Sequence, residues 1–143
     1  MIRRAAAVLA AAVVLAACGT VRTPGQALHS WSVESGFSAA VATLHRDAVS
    51  AAQVLRGPQP TAQRLHLVCA VLLVDAEAAN ASLPTPVDQV THLLSRAYGS
   101  LGAGAHLCYG ATGAGGRRAA VAQLQRAVAQ LAEGRAALAA LSG

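Results

Sequence analysis

Apolar residues recur every three or four positions in four separate stretches of the chain, which is the spacing of one buried face of an α-helix. The first stretch runs from about Val33 to Leu55. Gly57 followed by Pro58 ends it in the order that is typical of a helix C-terminus. No stretch shows the alternation of apolar and polar residues that indicates a β-strand, so we expect an all-helical protein.

The second stretch, from Thr61 to about Asn80, has apolar residues on almost every face. A helix that is apolar on all sides is typical of a protein interior. We therefore predict that this helix is the most buried of the set. The apolar residues outside its main face are Leu67, Val71 and Val74.

The third stretch begins with a strong helix-start signal at Leu83–Asp88, with Thr85 as the expected N-cap and Pro86 at the first helical position. It continues to Cys108. Each glycine in a helix costs roughly 1 kcal/mol relative to alanine, so close packing, a kink or a break is expected where glycines cluster. The glycines concerned are Gly99, Gly102 and Gly104.

The fourth stretch runs from about Arg117 to Leu141, after a glycine-rich loop at Gly110–Gly116. Four helices joined by short connections pack most simply as an up-and-down antiparallel bundle. The sequence therefore predicts an all-α, four-helix bundle domain over residues 31–143. Residues 18–30 are polar and rich in turn-forming residues at their start, which favours a flexible tether.

The N-terminus has the organisation of an export signal. Arg3 and Arg4 precede an apolar stretch of 13 residues, Ala5–Ala17, whereas a membrane-spanning helix needs about 20. Residues 1–17 are therefore interpreted as a signal peptide rather than a permanent span.

The end of that segment, Leu15–Cys18 with the sequence Leu-Ala-Ala-Cys, resembles the lipobox of bacterial lipoprotein precursors. The resemblance implies that the Cys18 thiol receives a diacylglyceryl group, that cleavage occurs before Cys18, and that an acyl chain such as palmitate can be added to the new amine. Two acyl chains hold a protein on a membrane far more firmly than one. We therefore expect an exported protein that is anchored by lipid to the outer face of the cell membrane.

The charge of the chain is modestly basic. All eleven basic residues are arginine, and the formal net charge is +5. Removal of residues 1–17 would leave nine arginines against six acidic residues, a charge of +3. Such an excess suits a position near anionic lipid or wall polymer, but with only 3% aromatic residues it does not indicate nucleic-acid binding. The basic fourth helix has either a solvated face or a surface that rests on anionic lipid.

Cys69 and Cys108 remain once Cys18 carries lipid, and in an exported protein a disulfide between them is the leading hypothesis. In a hairpin that turns near Pro84, however, the two cysteines are offset by nine residues, or about 13 Å of helix. Bridged Cα atoms lie within roughly 7 Å of each other. The bridge therefore requires either an extended run at residues 79–85 or a bend of the third helix at its glycines.

A metal site is the alternative hypothesis for the same cysteines. His66 lies three residues before Cys69 and His106 two before Cys108, and two histidines with two cysteines can form a tetrahedral zinc site. The spacing matches no zinc-finger pattern. Both hypotheses stay open on the sequence alone.

The sequence contains no recognisable catalytic constellation. The glycine-rich segment Gly110–Arg118 lacks the Lys-Ser/Thr ending and the preceding strand of a phosphate-binding loop. The six carboxylates are scattered, and no pair has the spacing for acid–base catalysis. We therefore expect a non-enzymatic binding or scaffolding module without a cofactor, with an envelope protein or ligand as its partner. A metal- or small-ligand-binding protein that uses His66, Cys69, His106 and Cys108 is the alternative.

The run from Cys69 through Leu83–Asp88 to Cys108 resembles small uncharacterised exported helical proteins of high-GC bacteria. This resemblance implies a helical fold and a Cys69–Cys108 disulfide, but no activity.

Overall fold

The computed structural model describes residues 22–142, and every regular element in that range is an α-helix. The described residues form five helices rather than the four that the apolar pattern predicts. The signal peptide at residues 1–17 and the lipid on Cys18 lie outside the described residues. The helices are α1 Pro24–Glu34, α2 Phe37–Arg56, α3 Ala62–Asn80, α4 Asp88–Tyr109 and α5 Gly113–Ser142.

Helix α1 occupies part of the segment that we expected to be a flexible tether. Its start is stabilised by a capping box, in which the Thr23 side chain accepts from the Gln26 N–H and the Gln26 side chain accepts from the Thr23 N–H. Pro24 stands at the first helical turn, where its missing N–H costs nothing. Leu28 is fully buried, so residues 24–30 belong to the folded body.

The chain turns between α1 and α2 at Ser35 and Gly36, so the first predicted helix is divided near its beginning. Gly36 has φ +64°, a left-handed conformation that glycine adopts without strain. The Trp31 indole N–H donates to the Ser82 carbonyl at 3.2 Å, which attaches α1 to the connection between α3 and α4.

The most extensive helix contacts are those of α4 with α5 and with α3. Helix α2 also packs against α3 and α5. The core is built from small and medium side chains, as the composition requires. Its largest fully buried members are Leu28, Leu44, Leu55, Leu72, Leu94, Leu101, Leu124 and Val90, with Cys69 and Cys108.

Helix α4 is continuous through its three glycines, and Gly104 supports close packing. A Cβ at Gly104 would lie 2.7 Å from Leu124 Cδ2 of α5, so a larger residue there requires the buried Leu124 side chain to shift. A Cβ at Gly134 of α5 would likewise lie 2.7 Å from Leu94 Cδ2 of α4. A Cβ at Gly99 would meet nothing within 4 Å, so that glycine has no steric role.

The prediction that the second periodic stretch is the most buried helix is wrong. Helix α3 packs through one side only, and Leu67, Val71 and Val74 are 64%, 44% and 62% exposed. The tertiary arrangement places α2 and α4 beside α3, and no described element covers its outward side. The apolar composition of α3 therefore reflects a surface as well as a core.

The start of α4 also differs from the prediction. The helix begins at Asp88 with Val87 as its N-cap, and Thr85 is buried in the connection before it. The Thr85 hydroxyl donates to the Val87 carbonyl at 2.8 Å, and the Thr85 N–H donates to Thr91 Oγ1 at 2.9 Å. Thr85 therefore orders the connection instead of capping the helix. After the loop that follows α4, α5 begins at Gly113, four residues before the predicted Arg117.

Candidate functional site

Cys69 and Cys108 form a disulfide that joins α3 to α4 inside the core. Their Cα atoms are 5.7 Å apart, and both residues are at most 1% exposed. The offset along the helices is absorbed by the seven non-helical residues between Asn80 and Asp88, and not by a break in α4. Seven extended residues can span roughly 23 Å, which exceeds the roughly 13 Å that the offset demands.

The two histidines of the alternative metal site have different surroundings. The His66 ring stacks on Tyr109, with ring centroids 4.2 Å apart and an interplanar angle of 16°. His106 is exposed on α4. Because Cys69 and Cys108 are bonded to each other, neither sulfur is free as a thiolate ligand. Within residues 22–142, no group of three or more His, Cys, Asp or Glu side chains has the arrangement of a metal site.

The outward side of α3 carries a row of apolar residues that we call the α3 outer face. Leu67, Val71, Val74 and Ala78 follow at intervals of four, three and four residues, and all are exposed. Ala70 widens the row and is also exposed. Exposed apolar residues that adjoin one another, unlike scattered ones, often mark an interaction surface.

Arginines gather at the end of the molecule where α2 and α4 finish and α3 and α5 begin. We call this region the basic end. The residues that define it are Arg56, Arg64, Arg117 and Arg118. No Asp or Glu occurs between residues 48 and 74 or between 89 and 132, the two segments that build this end. Among residues 22–142 the ion pair found is Arg46–Asp47, so none of the four arginines is neutralised by a described carboxylate.

Two adjoining grooves open at the basic end. One, of about 490 Å³, lies between α2 and α5 and is lined by Arg56, Arg117 and Arg118. The other, of about 450 Å³, is lined by the stacked His66 and Tyr109 and by Arg117 again. Arg117 therefore contributes to both grooves.

A carboxyl pair lies between α2 and α3. Burial raises the pKa of Asp75 above its usual value, and a hydrogen bond and repulsion from the neighbouring Asp47 carboxylate raise it further. The Arg46 guanidinium opposes these effects in part. Asp75 is half-buried, so its charged form is disfavoured in the folded protein.

Tyr98 lies in the core of α4 and is 2% exposed. Burial raises the pKa of Tyr98 to about 12, which keeps its phenol neutral at physiological pH. A neutral buried phenol is a packing residue rather than a nucleophile.

No family model matches the chain, and neither a curated protein nor a solved structure matches it. None of the helices within residues 22–142 combines the length and the apolarity of a transmembrane span. Sequence reasoning named the residues of the disulfide. It missed the α3 outer face and the basic end, because both depend on which helices become neighbours.

Proposed function

We propose that the protein is a lipid-anchored, non-enzymatic binding or scaffolding module at the outer face of a bacterial cell membrane. In this proposal residues 1–17 are removed as a signal peptide and Cys18 carries the lipid. Helices α2–α5 then act as an up-and-down bundle that presents a binding surface. The observation that carries the proposal is the α3 outer face.

The geometry of this face suits a partner helix. From Leu67 to Ala78 the apolar row covers 12 residues, which span about 16 Å of helix. Intervals of four and three residues are those of a seam along which a second amphipathic helix packs. The small side chains of Ala70 and Ala78 allow a close approach. We therefore infer that the partner is an amphipathic helix of another envelope protein.

The start of α1 shortens the expected tether. Thr23 already caps α1, so only five peptide units separate it from Cys18. Fully extended, they span at most about 18 Å. In the proposed lipoprotein the start of α1 is thus held close to the membrane, while the helices extend from that point towards partners farther from the surface.

The anchor is tested by the intact mass of the full chain extracted from bacterial membranes with detergent. We expect loss of residues 1–17, the added mass of the acyl chains and the loss of two hydrogens from the disulfide. A Cys18→Ala variant should keep residues 1–17 and gain no lipid. An unlipidated mature protein in the soluble fraction would contradict the anchor.

The α3 outer face is tested by photo-cross-linking in intact cells. A cross-linking amino acid is placed at Leu67 or Val74, and at the exposed positions Ala132 or Ala136 of α5 as controls. We expect one defined product from α3 and little from α5. Introducing Val71→Glu beside the Leu67 cross-linker should abolish that product, because a charge would enter an apolar seam. Equal yields from both helices would contradict the proposal.

The metal- or ligand-binding alternative applies only to the reduced protein, because the bridge occupies both sulfurs. Zinc content of the reduced and oxidised chain, with His66→Ala as the control, tests it. Stoichiometric zinc in the native protein would favour this alternative over the proposed one.

A further inference from the structure

The basic end concentrates positive charge that the described part of the protein does not neutralise. Arg56, Arg117 and Arg118 line one groove, and no described carboxylate or other side chain accepts from them. Uncompensated like charges in one groove repel each other, and a bound anion would remove that repulsion. Guanidinium groups bind phosphate and carboxylate oxygens in a planar, two-point geometry.

Helix α5 adds to this positive potential. Its first turn, Gly113–Gly116, is exposed and points its backbone N–H groups towards the end that the arginines occupy. At Gly115 a Cβ would meet nothing within 4 Å, and at Gly116 it would make only ordinary contacts at 3.6 Å. Glycine at these two positions destabilises the helix relative to alanine, and no steric constraint requires it. The effect of these glycines is to leave the first turn open to a large anion.

The arrangement favours an extended ligand over a single ion. The positive groups are distributed over α2, α3 and α5, and the two adjoining grooves share Arg117. A single phosphate would contact only part of this surface. A chain of anionic groups can occupy both grooves at once.

The position of the basic end argues against the membrane surface as this ligand. Gly25 at the start of α1 packs against Leu141 at the end of α5, so the chain enters the fold at the opposite end. The 22 residues of α4 separate the two ends by about 33 Å. Electrostatic attraction is screened within about 8 Å at physiological salt. A membrane anchor before α1, which belongs to the proposed function, would therefore hold the basic end away from the lipid.

We infer that the basic end binds a soluble polyanion, an extended polymer with repeated phosphate or carboxylate groups. This function is separate from helix binding at the α3 outer face. The two surfaces lie on different parts of the protein and can be inactivated independently.

The experiment measures binding of the full chain, in a neutral detergent, to long-chain polyphosphate, with inorganic phosphate and mixed micelles of phosphatidylglycerol or of a neutral lipid as competitors. The test variant is Arg56→Gln/Arg117→Gln/Arg118→Gln. The control is Arg96→Gln/Arg126→Gln/Arg135→Gln, which removes the same charge from exposed arginines elsewhere. Circular dichroism and the thermal midpoint report folding. If the triple variant does not fold, Arg56→Gln/Arg118→Gln replaces it, because both residues are exposed.

We expect polyphosphate to bind and the test variant to lose at least tenfold in affinity, while the control stays near the wild-type value. For three phosphate contacts, raising the salt from 50 to 200 mM should weaken wild-type binding about 20-fold. Equal losses in both variants would reduce the effect to net charge and overturn the inference. Displacement of polyphosphate by phosphatidylglycerol micelles but not by neutral-lipid micelles would overturn it in favour of lipid, and displacement by inorganic phosphate at equal phosphate concentration would overturn it in favour of a single-anion site.

Discussion

The α4–α5 interface and the α3 outer face show opposite relations between side-chain size and burial. At the interface the smallest residues, Gly104 and Gly134, lie in full contact with leucines of the facing helix. On α3 the larger Leu67 and Val74 are more than 60% exposed. Residue hydrophobicity alone would predict Leu67 and Val74 in the core and the two glycines at the surface.

The difference shows that the burial of a side chain depends on how many helices pack around its own helix. Helix α4 has α3 and α5 on either side, while α3 has no described neighbour on its outward side. The Cys69–Cys108 disulfide is the covalent link between these two regions. Four changes, from the largest expected effect to the smallest, test how far they differ.

Removing the disulfide should have the largest effect. The bridge joins residues separated by 39 positions, and its closure of the unfolded chain is worth about 4 kcal/mol by chain entropy. Cys69→Ala/Cys108→Ala should lower the free energy of unfolding by about that amount, measured by urea titration. Wild-type protein treated with a reductant should lose a comparable amount. An unchanged midpoint would mean that packing alone holds α3 on α4.

Filling the α4–α5 interface should have the next largest effect. Gly104→Ala places a Cβ against Leu124, and overpacking of this kind costs about 1–3 kcal/mol. Gly99→Ala, on the same helix but with open space around it, should instead stabilise by up to about 1 kcal/mol. A lower thermal midpoint for Gly104→Ala and a higher one for Gly99→Ala would support the close approach of α4 and α5. Shifts of the same sign in both variants would contradict it.

Substitution of Asp75 tests the side of α3 that packs against α2. Its pKa is raised in the folded protein, so the folded state binds the proton more tightly than the unfolded chain. The stabilisation from protonation is present at acid pH and is lost as pH rises through the folded pKa. Asp75→Asn should therefore be more stable than wild type at pH 7, with the advantage disappearing below about pH 4. Equal stability of Asp75→Asn and wild type at pH 7 would contradict the raised pKa.

Polar substitution on the α3 outer face should have the smallest effect. Val74→Gln is exposed and should change stability by less than about 0.5 kcal/mol. Leu72→Ala, two residues away and fully buried, should cost about 2–5 kcal/mol. If Val74→Gln is as costly as Leu72→Ala and the cost depends on protein concentration, the face is covered by another copy of the chain.

The periodic segments predicted α2, α3 and most of α4 and α5, because local spacing of apolar residues is a property of the chain itself. Helix α1 was missed although its signal was present. Thr23-Pro24-Gly25-Gln26 has the Ser/Thr-x-x-Glu/Gln spacing of a capping box, but too few apolar residues follow for periodicity to reveal a helix. The glycines of Gly113–Gly116 similarly concealed the first turn of α5.

The sequence by itself determined the helical class, most helix positions and the two cysteines that pair. These features depend on near neighbours in the chain or on the number of thiols. Only the tertiary structure decided which face of α3 is left open, and that Arg56 meets Arg117 and Arg118. Residues some sixty positions apart become neighbours only when their helices pack against each other. That packing depends on the whole core, where glycine, leucine and the disulfide together determine which helices can approach.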